Sequence, residues 1–394
     1  SANRVVSMVP RCYRCLFLLA ATLVLHSAGV ELAPTHAWNS TRSGARSRRH
    51  GCEKLTLLDA KDYPKAKCLD GSQGGYYFSK GSGDGENKFY IYRQGGAFCG
   101  SDEDWKSRST SALGSSSEQY HKDGHEMEKS HLGFARDCTK NPLLNNWNHV
   151  EMIYCDGMYY AGKAEEPVNG LHYKGGWIME GVIDDLKEKH GMTAATDVII
   201  AGCSAGAIST VTTIDWVKSL VHKVSPKAKV AGFVSSGFFL DYKHPGNDYR
   251  EKKRYPFEQG NLRGQVSKAC LEVKPKESTA HEKDGHMCLI PEIAAPFVGT
   301  PLFFWESLYD SYMLGTNVMQ DGKPCDHETC ARDHGLKFEK AMETLLEGQK
   351  EFGAFVSGCS HHCDAPNIET IHGKTPLQAF AEWYGKYMAK DAHS

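Results

Sequence analysis

The chain has 394 residues, 40 % of them hydrophobic, enough for one large buried core or two ordinary ones. Its 46 basic and 48 acidic residues leave a formal net charge of −2, spread along the whole length. That balance excludes the electrostatic footprint of a nucleic-acid binder or of a protein held on an anionic membrane surface.

In chain order, Arg4, Arg11 and Arg14 precede an apolar run, Cys15 to Leu25, followed by the small residues of "HSAGVELA". This is the layout of a signal peptide over residues 1–28, cleaved near Ala28, and it implies secretion. The apolar run is short for crossing a hydrocarbon layer of about 30 Å. Residues 29–50 are polar and aperiodic, a flexible basic tail carrying the sequon Asn39-Ser40-Thr41. Arg46 to Arg49 suits either a processing site or a solvated linker. Residues 51–394 show no repeat and no further long linker, and read as one domain.

Cleavage would remove Cys12 and Cys15 from the 14 cysteines and leave an even set. In an oxidising compartment these are expected to pair as disulfides. "CDHETC" (325–330) and "CSHHC" (359–363) lack the ligand spacing of zinc fingers.

Strands are expected at 88–93, 149–155, 197–202, 229–236, 301–310 and 351–358. Between them, "GGWIMEGVIDDLKEKHG" places Ile178, Val182, Ile183 and Leu186 on one face and stops at Gly191. A second helix starts at Ser204, and a third covers "GLKFEKAMETLLEGQK". Alternation of this kind predicts an α/β fold, a mostly parallel central sheet flanked by helices. The polar stretches 101–140 and 241–290 read as loops.

Within "AGCSAG", Gly202, Ser204 and Gly206 satisfy G-x-S-x-G between an expected strand and an expected helix. This is the context of the nucleophile elbow of α/β-hydrolases, where a sharp turn presents the central side chain above a helix N-terminus. Cys203 is the rival nucleophile. A free thiol in a secreted chain tends to oxidise, and the elbow exposes its middle residue. The chemistry therefore falls to Ser204, and Cys203 turns to the sheet or to a partner cysteine.

A serine nucleophile needs a base, a group to orient it and an oxyanion hole. Asp310 ends "PLFFWESLYD", where it suits the acid and equally the cap of a following helix. His361 and His362 follow the last strand, and "GGAFCG" (95–100) follows the first. The order nucleophile, acid, histidine is that of α/β-hydrolases.

From about Cys68 to Trp383, the blocks "GGAFC", "NNWNHVEMIYCDGMYYAG", "LHYKGGW", "GCSAGAIS", "SSGFFLDY", "PLFFWESLYDSYML" and "CSHHC" resemble the pectin acetylesterase and Notum family of secreted serine hydrolases. The resemblance implies an α/β-hydrolase-like fold with disulfide-stapled loop insertions. It implies a catalytic triad of Ser204, Asp310 and His362, the histidine chosen over His361 by its place between Cys359 and Cys363. The oxyanion hole falls on the backbone N–H groups of Gly96, Ala97 and Ala205. No metal or cofactor is implied. Ala97 stands where the family has glycine or tryptophan, and Ala207 where glycine is common.

The implied activity is a serine carboxylesterase acting on an acylated glycan or an acylated secreted protein, with no nucleic-acid partner and no stable membrane insertion. Cys203 and "CSHHC" resemble the plant-type pattern, which favours acetyl removal from pectin-like or other glycans. Removal of a palmitoleoyl-type fatty acyl group from a protein is the alternative within the class. A silent binding protein on the same fold is the alternative outside it. The sequence leaves the oligomeric state open.

Overall fold

The computed structural model describes residues 6–8, 53–121, 125–242, 249–272, 285–316, 318–320, 323–325, 328–363 and 370–390. Cys52, Asn39, Arg46–Arg49 and nearly all of the expected leader lie outside these residues.

The strands are β1 (Val6–Met8), β2 (Thr56–Leu57), β3 (Gly75–Ser79), β4 (Lys88–Arg93), β5 (Asn148–Met152), β6 (Asp197–Cys203), β7 (Lys229–Ser235), β8 (Leu302–Ser307), β9 (Met319–Gln320), β10 (Lys323–Pro324) and β11 (Gly353–Ser357). All but the β9–β10 hairpin form one sheet in the order β1-β11-β8-β7-β6-β4-β5-β3-β2. The pairings from β1 through to β5 are parallel; β3 and β2 run antiparallel at the far edge. β1 lies within the expected leader, so loss of that segment leaves β11 as the edge strand. The helices are α1 (Asp102–Ser109), α2 (Met127–Ser130), α3 (Gly175–His190), α4 (Ala205–Val224), α5 (Tyr249–Gln259), α6 (Lys268–Glu272), α7 (Pro291–Ala294), α8 (Ser311–Thr316), α9 (Glu328–Gly348) and α10 (Pro376–Lys390).

Every residue of β5, β6, β8 and β11 is buried, which accounts for the largely apolar runs of β6, β8 and β11 rather than an alternating pattern. α3 ends where expected: Gly191 is left-handed at φ 70° and its N–H bonds Leu186 O.

Two expected loops prove to hold helices. In 101–140, Ser101 Oγ caps α1 by accepting Asp104 N–H at 3.3 Å, with acids in the first turn and bases in the last. Trp105 is its one buried side chain, so the helix carries almost no apolar periodicity. In 241–290, α5 buries Tyr249, Lys253, Pro256 and Phe257, a helical spacing disguised by its lysine.

The cysteines are only partly paired. Bridges join Cys68 to Cys155, Cys203 to Cys363, Cys270 to Cys288 and Cys325 to Cys330. Cys99, buried, and Cys138, exposed, are free thiols, which corrects the expectation of complete pairing among the described residues. The guanidinium of Arg108 occupies the space beside Cys99, its Nε 3.0 Å from the sulfur.

Candidate active site

Parallel register brings the ends of β4, β6, β7, β8 and β11 to one edge of the sheet, the crevice where open α/β sheets carry their sites. Arg93 pairs with Gly202 and Cys203 with Ser235, so the segments that follow leave the sheet side by side.

Ser204 sits between β6 and α4 at φ 53°, ψ −119°, a conformation that costs a non-glycine residue about 1–3 kcal/mol. Its N–H bonds Ser235 O at 3.1 Å and its carbonyl accepts Ile208 N–H at 2.8 Å. The flanking glycines are sterically required. A Cβ on Gly202 would lie 2.3 Å from the Gly206 carbonyl carbon, and one on Gly206 would lie 2.0 Å from Arg93 O. Together they let helix and strand close around the turn.

The loop after β4 lies directly against this turn. A Cβ built on Gly95 would come 3.2 Å from Ser204 Cβ. Gly96 has φ +145° and little room, since a Cβ there would stand 2.6 Å from Leu113 Cδ2. Ala97 is left-handed at φ 55°, and Ala205 opens α4. Gln94, just upstream, is fixed by Glu151, whose carboxylate also accepts from Ser130 Oγ and meets His125.

Asp310 makes two side-chain contacts. Oδ1 accepts Met313 N–H at 2.9 Å and caps α8, while Oδ2 stands 2.7 Å from His362 Nδ1. The pair is well shielded, with Asp310 buried and the histidine side chain 17 % exposed. Tyr312 stacks on the His362 ring at 5.1 Å, and Phe239 meets its edge at 6.4 Å. His361 turns away into the fold, with Nε2 3.1 Å from Ser357 Oγ. A His362 ring nitrogen and the sulfurs of Cys203 and Cys363 lie within 4.8 Å of one another. Those sulfurs form a disulfide and offer no thiolate, so the cluster is not a metal site.

Three buried ionisable groups around this edge escaped the sequence reading. Arg93 lies beneath the elbow and donates to Ser209, Thr213 and Thr210 at 2.7, 3.0 and 2.9 Å, and burial lowers it to about 9. Lys253 on α5 is enclosed by Phe98, Tyr249 and Tyr159 and donates to the Tyr159 hydroxyl. Burial pulls its amine well below the usual lysine range. Glu306 on β8 accepts Gly237 and Phe238 N–H groups at 3.0 and 3.1 Å, and burial holds its carboxyl well above the ordinary carboxylate range. No motif marks such groups; the only sequence signal is a charged residue inside or beside an apolar run. The groove lined by Phe238, Tyr242, Leu336 and Lys340, about 960 Å³, contains none of the expected site residues.

Fold and edge define an α/β-hydrolase-like protein, and comparison with known proteins gives its class. The pectinacetylesterase family model matches residues 47–390, and the chain belongs to that family. Pectin acetylesterase 4 of Arabidopsis thaliana is 26 % identical over 374 residues, covering 88 % of this chain and 87 % of that protein. Pectin acetylesterase 5 of the same plant is 29 % identical, covering 84 % and 80 %. A palmitoleoyl-protein carboxylesterase NOTUM from Schmidtea mediterranea is 29 % identical over 194 residues, 48 % of this chain and 36 % of that one. The crystal structure of the Wnt deacylase Notum from Drosophila superposes with a TM-score of 0.69 at 20 % identity, over 86 % of this chain and 94 % of its own. The chain is a carboxylic ester hydrolase.

Proposed function

We propose that the protein is a secreted serine esterase that removes O-acetyl groups from pectin-like or other glycans through an acyl-enzyme. The observation carrying this reading is the 2.7 Å contact between Asp310 and His362, whose neighbour Cys363 is bridged to Cys203 next to the strained Ser204 elbow. Ser204 Oγ attacks the ester carbonyl while His362 takes its proton, and the backbone N–H groups of Gly96, Ala97 and Ala205 receive the developing oxyanion. His362 then protonates the departing alcohol. A water, deprotonated by His362, releases the acid and restores the serine. Asp310 holds the imidazole in one tautomer and stabilises its cation.

Acetyl is favoured because the match takes in 80–87 % of the length of the Arabidopsis pectin acetylesterases, whereas it takes in 35–62 % of the length of the NOTUM carboxylesterases. Secretion is supported by the leader pattern and by the disulfides among the described residues, which belong to an oxidising compartment. Among the described residues no helix is long and apolar enough to cross a membrane.

The test compares p-nitrophenyl acetate with p-nitrophenyl octanoate, using Ser204→Ala as control. Acetate is expected to be the better substrate, and a strong octanoate preference would move the reading to fatty-acyl removal. Fluorophosphonate labelling of the folded wild type is expected at Ser204. Absence of labelling would replace the enzyme reading with a binding role.

A further inference from the structure

The expected base comes from β11 and the expected nucleophile from β6, and β8 and β7 stand between them. At about 4.8 Å per strand the two ends are roughly 14 Å apart. Yet Cys203 and Cys363, the neighbours of Ser204 and His362, have Cα atoms 5.5 Å apart. The segment after β11 therefore runs across the ends of β8 and β7 to reach the elbow.

Most of its fastenings lie on the near side. Ser307 Oγ donates to Cys359 O at 2.6 Å, Ser311 N–H to His361 O at 3.3 Å, and Asp310 meets the His362 ring. All three come from β8, the turn after it or the first residue of α8. On the far side, Cys363 N–H donates to Ser236 Oγ at 3.0 Å, just past β7. The disulfide alone among these links reaches β6.

We infer that Cys203 and Cys363 are positioning residues, their bond setting the distance between His362 and Ser204, so that ester hydrolysis requires this disulfide. The inference rests on the assignment of Ser204 and His362 made above. Asp310 fixes how the imidazole is turned; the disulfide fixes where it stands. Reduction by a dithiol transfers two electrons and two protons: the S–S bond breaks, two thiols form, and the dithiol closes to its own disulfide. Among the described contacts, the far side of the histidine segment then keeps the Ser236 hydrogen bond and the edge contact of Phe239 with the His362 ring.

The experiment compares the double variant Cys203→Ala/Cys363→Ala with Cys325→Ala/Cys330→Ala, which removes a bridge closing a five-residue separation. A displacement of about 1 Å at a reacting group costs on the order of 10²-fold in rate. The first variant is expected to lose about that factor in kcat, with KM within about twofold and a matching fall in the rate of fluorophosphonate labelling. The second is expected to keep kcat. Should the first variant fail to fold, Cys363→Ser alone is read in the same assay. Wild type titrated with dithiothreitol is then mapped by alkylation and mass spectrometry. Activity is expected to fall with opening of Cys203–Cys363 and to return on reoxidation. A folded variant with wild-type kcat, or loss that follows another bridge, overturns the inference. Activity surviving in Ser204→Ala would instead show the nucleophile assignment to be wrong.

Discussion

Replacing Gly206 by alanine adds one methyl group where no space exists. Its Cβ would lie 2.0 Å from Arg93 O, 2.7 Å from Arg93 C and 2.8 Å from Gln94 O, all backbone atoms. A tolerable carbon–oxygen approach begins near 3.3 Å, so the first turn of α4 and the end of β4 must separate by about 1.3 Å. No rotamer change provides that, since both sides are main chain. Arg93 is pinned to the same helix by three hydroxyls, which resist the movement. Overpacking of this kind destabilises by about 1–3 kcal/mol. The functional loss is expected to be larger, because the separation moves Gly95–Ala97 away from Ser204; a misplacement near 1 Å costs on the order of 10²-fold. Steady-state kinetics on p-nitrophenyl acetate, with a denaturant melt on the same preparation, reads both effects. Stability within 1 kcal/mol of wild type together with unaltered kcat would refute the reasoning, since the close approach would then be relieved without moving the loop.

The remaining predictions are more compact. Ser204→Ala is expected to abolish fluorophosphonate labelling without unfolding the protein, because the serine side chain makes no hydrogen bond that caps α4. Asp310→Asn is expected to lower kcat by about 10⁴-fold, the cost of a wrong tautomer in a related triad. Its Oδ1 can still cap α8, so melting should change little. The pH dependence of stability combines two opposite contributions. His131 and His149 are buried and held at about 3 against an ordinary 6.5, chiefly by desolvation, so their contribution is full above 6.5 and is lost as pH falls toward 3. Asp156 is raised by burial from 3.8 to about 6, so its contribution is full below 3.8 and is lost as pH rises through 6. Asp156→Asn should therefore steepen the loss of stability on acidification between pH 6 and 4, measured by urea midpoints. An unchanged slope would show that Asp156 does not titrate in that window.

The parallel strands were the most legible part of the molecule. Nearly all of their residues are buried, so β4, β6, β7, β8 and β11 appear as largely apolar runs, and 88–93 is found at its expected limits. The run 301–310 was read too long, since Leu308 to Asp310 continue its apolar look while already turning toward α8. β3 carries two glycine-flanked tyrosines in a short antiparallel edge, too brief to stand out. α10 did leave a signal: Thr375 and Gln378 cap each other reciprocally at the start of the helix, at 2.9 and 3.3 Å. The elbow was visible because its glycines are dictated by backbone contact, which demands one residue type. The choice of His362 over His361 was not visible from spacing alone; it depends on which of two adjacent rings turns to Asp310. Arg93 and Lys253 act through burial, and burial of a charge leaves no pattern in a single sequence.

The shared direction of β4, β6, β7, β8 and β11 also has a practical side. If each of these strands delivers its last residue to the edge of the candidate site, each must begin at the opposite one. The turns at 83–85, 191–196, 225–228 and 349–352 lie there, and Gly83 and Gly191 have open space around them. A dye, an affinity handle or a surface tether placed at those turns would hold the enzyme by its back. Its reactive face would be left toward a bulky polymer, an orientation suited to immobilised use.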